Sequence, residues 1–141
     1  MISNTVKEFQ NIVLNRMTFT PEIRGTYTLY RNKNRPELGY FIKYERKGYY
    51  DFGIGDYTIP NDFKIDFEHN EEMIRFGTVY QGETKFIIEN NSVSSFTPSS
   101  FFVVEKEIKG TQVWNKGQHL HGAEITIYKK YFDEIIKVNF P

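Results

Sequence analysis

The sequence predicts a mainly β fold, an antiparallel barrel or sandwich with a helix at each end, and three observations carry that prediction. From Gly25 to Tyr128, short runs rich in aromatic and β-branched residues alternate apolar and polar positions at a period of two. Turn-forming Gly, Pro and Asn residues separate these runs at regular spacing. The middle of the chain has no helical stretch to serve as the crossover that parallel neighbours need.

The first helix is signalled at its N-terminus. Thr5 followed by Glu8 forms a capping box, and Val6, Phe9, Val13 and Met17 then share one helical face before Pro21 stops the helix. Strands are expected at 26–30, 39–45, 63–67, 73–80, 84–89 and 100–108. Turn chemistry separates them at 32–36, Lys47-Gly48, 60–62, Gln81-Gly82, Asn90-Asn91 and Pro98. Between Phe96 and Phe140 come a β-hairpin pattern with Lys116-Gly117 as its turn, a strand entry bearing His119 and His121, and an alternating run from Ala123 to Tyr128. The period then changes from two to about 3.6. Lys129 to Val138 reads as an amphipathic helix whose apolar stripe holds Tyr131, Phe132, Ile135 and Ile136, broken by Phe140-Pro141.

A chain of 141 residues fits a single domain, 1–141, large enough to bury one core without disulfides or a structural metal. It has no cysteine, which excludes disulfides, thiolate catalysis and cysteine-ligated zinc. Lys plus Arg equals Asp plus Glu at 18 each, so no net field draws phosphate backbones from a distance, and direct nucleic-acid contact by this segment is not expected. The N-terminal residues lack signal-peptide character, and no apolar run is long enough to cross a bilayer. The expectation is a soluble, cytoplasmic domain.

The order of elements in 96–140 resembles the end of the N-terminal, cupin-like effector domain of AraC/XylS-family transcription regulators, where barrel strands run into a helix that leads toward the DNA-binding domain. The resemblance implies a cupin-like β-barrel of jelly-roll type with flanking N-terminal and C-terminal helices. It also implies a small-molecule effector held in the barrel and a homodimer formed through the last helix, with Tyr131, Phe132, Ile135 and Ile136 as the dimerisation residues. The family's helix-turn-helix DNA-binding domain is absent from 1–141, so the expectation is a sensor half, either excised or standing alone. An effector that prefers one arrangement of barrel mouth and helices shifts the dimer geometry by its differential affinity for the two states.

The sharpest chemical grouping is His119, His121 and Glu124. Residues two apart on a strand share a face, so both imidazoles can aim at one ion or ligand, whereas Glu124 faces away from His121 if the strand is regular. The grouping resembles part of the cupin metal motif but lacks that motif's later histidine, so no metal and no other cofactor is expected, and the pair is assigned to ligand contact. His69 lies in the polar run FEHNEEM and reads as a solvated loop residue. Arg75, in an alternating strand, is a candidate pocket anchor, and Trp114, beside the Lys116-Gly117 turn, a candidate stacking surface. Tyr80, with Tyr40, Tyr44, Tyr49 and Tyr50, offers aromatic lining with a hydroxyl handle. Ser99 and Ser100 lack nucleophile-elbow glycines, no phosphate-cradling glycine loop is present, and Glu71-Glu72 sits in a solvated run, so no catalytic residues are assigned. Two alternatives stand beside the sensor reading: a metal-dependent cupin enzyme using His119, His121 and Glu124, and a stand-alone ligand-binding barrel.

Overall fold

Helix α1 (Val6–Arg16) starts where the capping signal places it. Thr5 has extended backbone, and its hydroxyl accepts the N–H of Glu8 at 3.0 Å. One face of the helix buries Val6, Phe9, Gln10, Val13 and Leu14. At the other end Asn32 Nδ2 donates to the Met17 carbonyl at 3.3 Å, meeting one of the acceptors that a helix terminus leaves over.

The computed structural model describes residues 2–69, 73–81, 84–88, 92–96, 100–105, 108–131 and 133–134. The strands are β1 (Ile2–Ser3), β2 (Thr20–Arg24), β3 (Tyr27–Arg31), β4 (Gly39–Arg46), β5 (Tyr50–Thr58) and β6 (Phe63–His69) in the first half of the chain. They continue as β7 (Met73–Gln81), β8 (Thr84–Ile88), β9 (Ser92–Phe96), β10 (Ser100–Glu105), β11 (Ile108–Trp114) and β12 (His119–Tyr128). Among the described residues they form a five-stranded sheet, order β1-β6-β11-β8-β9, and a seven-stranded sheet, order β10-β7-β12-β5-β4-β3-β2. The described pairings are antiparallel apart from the two-residue β1, which runs parallel to β6. From β5 onward most connections cross from one sheet to the other, which wraps the two sheets around a common interior.

That interior holds Phe9, Val13, Leu14 and Met17 from the helical segment against Phe19, Leu38, Ile59, Ile65, Phe67, Trp114 and Leu120. Each such side chain withdrawn from water contributes about 1.5–3 kcal/mol. Gly39, which opens β4, has φ of +95°, and a Cβ there would collide with the backbone carbonyl of Asp56 on β5. Only glycine fits that position.

Several expectations change. The pattern around Lys116-Gly117 does make a tight turn, with Gly117 at φ +84°, but β11 and β12 do not form a hairpin. β11 pairs with β6 and β8, while β12 pairs with β5 and β7 in the other sheet. Pro21 lies inside β2, at the open edge of the seven-stranded sheet, where a missing N–H removes no ladder bond from a further neighbour. β5 falls outside the expected strands because Asp51, Gly53, Gly55 and Asp56 give it a turn-like composition. Its glycines face inward instead: a Cβ on Gly53 would meet Phe41 Cζ at 2.6 Å, and one on Gly55 would meet the Tyr57 ring at 2.7 Å. His69 is not a solvated loop residue, since it ends β6 and is 3% exposed.

The chain turns helical at 129–131 and 133–134. Tyr131 packs on its own sheet, with ring centroids 5.9 Å from Tyr49 and 6.0 Å from Tyr50. Phe132, Ile135 and Ile136, the other expected dimerisation residues, lie outside the described residues. Among the described residues no helix is long and apolar enough to cross a membrane.

Candidate functional site

Between α1 and the two sheets lies a partly open cavity of about 180 Å³. The helix contributes Phe9, Val13, Leu14 and Met17 to its lining, the five-stranded sheet Phe67 and Trp114, and the seven-stranded sheet Phe41 and Tyr57. Trp114 is 3% exposed, stacked on Phe63 at 4.7 Å with an 18° interplanar angle, and its ring centroid lies 5.6 Å from that of Phe9. It is a core residue and a cavity wall together.

Polar groups gather on one side of this apolar space. Arg75 opposes Thr126 and Glu124 opposes Gly77 across β7 and β12, which makes Arg75 and Glu124 diagonal neighbours on the inner face. Arg75 Nη2 donates to Glu124 Oε2 at 2.5 Å, and Gln10 Nε2 donates from α1 to Glu124 Oε1 at 3.3 Å. One carboxylate is thus gripped by both a strand and the helix. Two atoms of this group, Gln10 Oε1 and Arg75 Nε, are buried without a hydrogen-bond partner. The Tyr57 hydroxyl lies in the same field: burial first, then the charge of Glu124, raises its pKa well above the ordinary phenol value. It remains protonated.

His69 also borders the cavity. Burial, reinforced by the charge of Arg75, pushes its pKa down from 6.5 to about 4. Its Nε2 lies 3.2 Å from Ser3 Oγ, and that hydroxyl gives its single hydrogen to the carbonyl of Thr5 at 3.0 Å. Nε2 is therefore the donor, and Nδ1 carries the lone pair.

The two expected histidines part company. His121 lines the cavity with Gly122, Ala123 and Glu124. His119 does not border it, because its Nε2 lies 2.6 Å from Asp56 Oδ1 and its Nδ1 3.0 Å from Thr58 Oγ1, both on β5. Glu124 reaches the cavity alongside His121 although regular alternation sets them on opposite faces. Glu124 keeps the inward parity of the buried Leu120 and Thr126 along a ladder with β5 that runs without a shift, whereas His121, at the other parity, borders the cavity where the ladder with β7 shifts: it pairs with Gln81 and Gly122 with Val79, so the extra residue, Tyr80, lies in β7. Such bulges re-aim neighbouring side chains. The Tyr80 side chain lies outside those described. Of the candidate ligand contacts, Arg75, Trp114 and His121 thus meet at one cavity.

Gln10, Tyr57 and His69 enter the site without having been expected there. His69 had a legible signal, since Ile65, Phe67 and His69 continue one inward-facing parity along β6. Gln10 had none locally: its partner Glu124 is 114 residues away.

Among the described residues no three His, Asp or Glu side chains are placed to hold a metal ion. His119 is engaged with β5, so His119, His121 and Glu124 do not converge on one point.

A second buried polar cluster lies beyond the cavity lining. Lys43, 7% exposed, has Nζ 3.4 Å from Glu45 Oε2 and 3.8 Å from Asp51 Oδ1, and the Tyr128 hydroxyl donates to Asp51 Oδ2 at 3.0 Å. Burial raises the Asp51 pKa despite the opposing charge of Lys43. Burial also acts to raise Glu45, but Lys43, with hydrogen bonding from Asp51, outweighs it and carries Glu45 below its ordinary value.

No protein-family model and no curated protein sequence matches the chain. Solved structures do. A Cupin 2 conserved barrel domain protein from Salinispora arenicola superposes with a TM-score of 0.52 at 8% identity, covering 77% of this chain and 96% of that one. The cupin domain of Schizosaccharomyces pombe Cnp3 gives a TM-score of 0.50 at 8% identity, over 84% and 74% of the two chains. A Cupin_2 domain of an XRE-family transcriptional regulator from Enterobacter cloacae is similar at a TM-score of 0.43 and 14% identity, over 60% and 86%. The fold is cupin-like, as the order of strands and helices in the sequence implies.

Proposed function

We propose that this domain senses a small-molecule effector for a transcriptional regulator of AraC/XylS type, works as a cytoplasmic homodimer, and leaves contact with DNA to another part of that regulator. The observation that carries the reading is the cavity lined by α1, in which Gln10 of the helix meets Arg75 and Glu124 of the barrel around one carboxylate. A ligand that enters between these groups changes the grip of the helix on the barrel. That is the differential contact an allosteric signal requires. Association through Phe132, Ile135 and Ile136 then converts a local change into dimer geometry.

The reading gives the domain no catalytic role. A thermal-shift screen of metabolites tests it, because a ligand at a hundredfold excess over its dissociation constant stabilises the folded state by about 2.7 kcal/mol. Binding should also change Trp114 emission, since that ring forms part of the cavity wall. A screen without hits would count against the sensor. Stoichiometric metal in the purified protein, lost in His121→Ala, would instead favour a metal-dependent cupin enzyme.

A further inference from the structure

We propose that the homodimer is closed by the outer face of the seven-stranded sheet, which packs on the same face of a second copy; the inference rests on the homodimer reading and names its surface. What carries it is a reversal of polarity across three neighbouring strands.

An antiparallel sheet with one face toward water normally turns apolar residues inward and polar ones outward. Here β4 buries Lys43 and keeps Ile42 and Tyr44 on the outer side, half-buried. β5 buries Asp51, Gly53 and Gly55, with Phe52 and Ile54 outside. β12 turns Glu124 and Thr126 inward and leaves Ile125 and Ile127 out. The side chains that reach the core from this sheet, Tyr30, Phe41, Tyr57 and Leu120, share the inner parity. A strand that faces isoleucine outward while burying a lysine or an aspartate gains little from that isoleucine until a further surface covers it.

The outer residues line up across the strands. Leu29, Ile42, Ile54 and Ala123 form one row through β3, β4, β5 and β12. Tyr44, Phe52 and Ile125 form the next, with the Tyr44 ring 6.1 Å from Phe52 and 5.5 Å from Tyr27. Tyr50 and Ile127 begin a third. Neither of the first two rows carries a charge. Charges of both signs stand around them: Glu22 beside Leu29 and Arg24 beside Tyr27 on β2, Arg46 beside Tyr50, and Asp56 with His119 at the opposite end. An apolar, aromatic-rich centre inside a polar rim is the anatomy of a protein interface. Four strands about 4.8 Å apart and three rows about 6.6 Å apart make a face of roughly 400 Å² per copy. Two copies cover roughly 800 Å², and the rim extends this toward the 1,200 Å² or so of a stable complex. The dimer is therefore reversible.

A second copy fits this face better than other occupants do. Under a two-fold axis the apolar centre meets itself, and the chain has a formal net charge of zero, so two copies do not repel each other. A nucleic acid or an anionic lipid surface would call for a rim of one sign. The face is also continuous with the stripe already assigned to association: Tyr131 packs at its end, with ring centroids 5.9 Å from Tyr49 and 6.0 Å from Tyr50.

Sedimentation equilibrium of the full chain tests the proposal. The wild type should dimerise with a micromolar dissociation constant, and Ile54→Lys, its fold checked by circular dichroism, should weaken the dimer tenfold or more. Should Ile54→Lys fail to fold, a wild-type dimer mixed from isotope-labelled and unlabelled copies reads the same contact. Cross-peaks between copies are then expected from the methyl groups of Ile42, Ile54 and Ile125, and a dimer without them would overturn the proposal. A folded Ile54→Lys chain that dimerises as tightly as the wild type, while Ile135→Asp is monomeric, would overturn the sheet face and leave the homodimer standing. A wild type that is monomeric at high micromolar concentration would overturn both.

Discussion

Arg75 and Glu124 form an ion pair 2.5 Å long on the inner face of the barrel, although 49 residues separate them in the chain. Both side chains are largely withdrawn from solvent, at 17% and 23% exposure, and Gln10 of α1 holds the second carboxylate oxygen. The pair links two strands and, through Gln10, the helix.

Removing one partner strands the other. Arg75→Met leaves the Glu124 charge uncompensated in the cavity wall, and we expect a loss of about 2 kcal/mol, below the full cost of breaking a wholly buried pair because the site retains some contact with water. The double variant Arg75→Met/Glu124→Leu should recover a large part of that loss. Urea denaturation of wild type, single and double variants measures both.

Stability should fall between neutral and mildly acid pH through His69. Its folded pKa of about 4 lies below its ordinary 6.5, so the unfolded chain binds a proton first as pH drops. The contribution is complete above about pH 6.5, declines toward pH 4 and is gone below it, to a total of about 3 kcal/mol. Denaturation midpoints across that window check the slope. His69→Gln, which cannot titrate, should flatten it.

The two positive-φ glycines flanking β4 should respond differently to alanine. At Gly39 the new Cβ strikes the Asp56 carbonyl, and a cost above about 3 kcal/mol is expected. At Gly48, with φ +83° and open space around it, only the backbone conformation is strained, at about 1 kcal/mol. Thermal melts of the two variants separate the effects.

Lys43 sits between Glu45 and Asp51 with almost no exposure. Lys43→Ala leaves the buried Asp51 carboxyl without its counter-charge, beside the exposed Glu45, and should cost about 2 kcal/mol. Tyr128→Phe removes one hydrogen bond to Asp51 and should cost about 1 kcal/mol. Equal effects of the two substitutions would contradict this assignment.

The self-association proposed for the last helix rests on residues beyond those described. Ile135→Asp should give a folded monomer if the stripe is an interface, and an insoluble or destabilised chain if it packs on its own barrel. Light scattering with circular dichroism distinguishes these results, and a wild-type chain that is monomeric at high micromolar concentration would end the dimer reading.

The parts of this fold that could be read in advance are those written locally. Thr5 and Glu8 cap α1 three residues apart, and alternation marks β3, β4, β6 and β7 to within a few residues. What local pattern cannot carry is partnership across sheets. The turn at Lys116-Gly117 looks like a hairpin turn whether the next strand pairs with its predecessor or crosses to the opposite sheet. Gly53 and Gly55 look like turn residues until Phe41 is seen to need their space. The same limit governs the site. Arg75 and Trp114 stood out by residue type, whereas Gln10 becomes a site residue only through its contact with Glu124, 114 residues away in the chain.

The central claim is that the cavity beneath α1 is where a small molecule binds. Isotope-filtered NOE spectroscopy of the protein with a ligand that raises its melting temperature tests that claim most directly. The account predicts cross-peaks from ligand protons to the side chains of Phe9, Phe41 and Trp114, three rings from different elements that all line this cavity. A stoichiometric ligand whose cross-peaks fall on residues outside the lining, with none to these three rings, would contradict it.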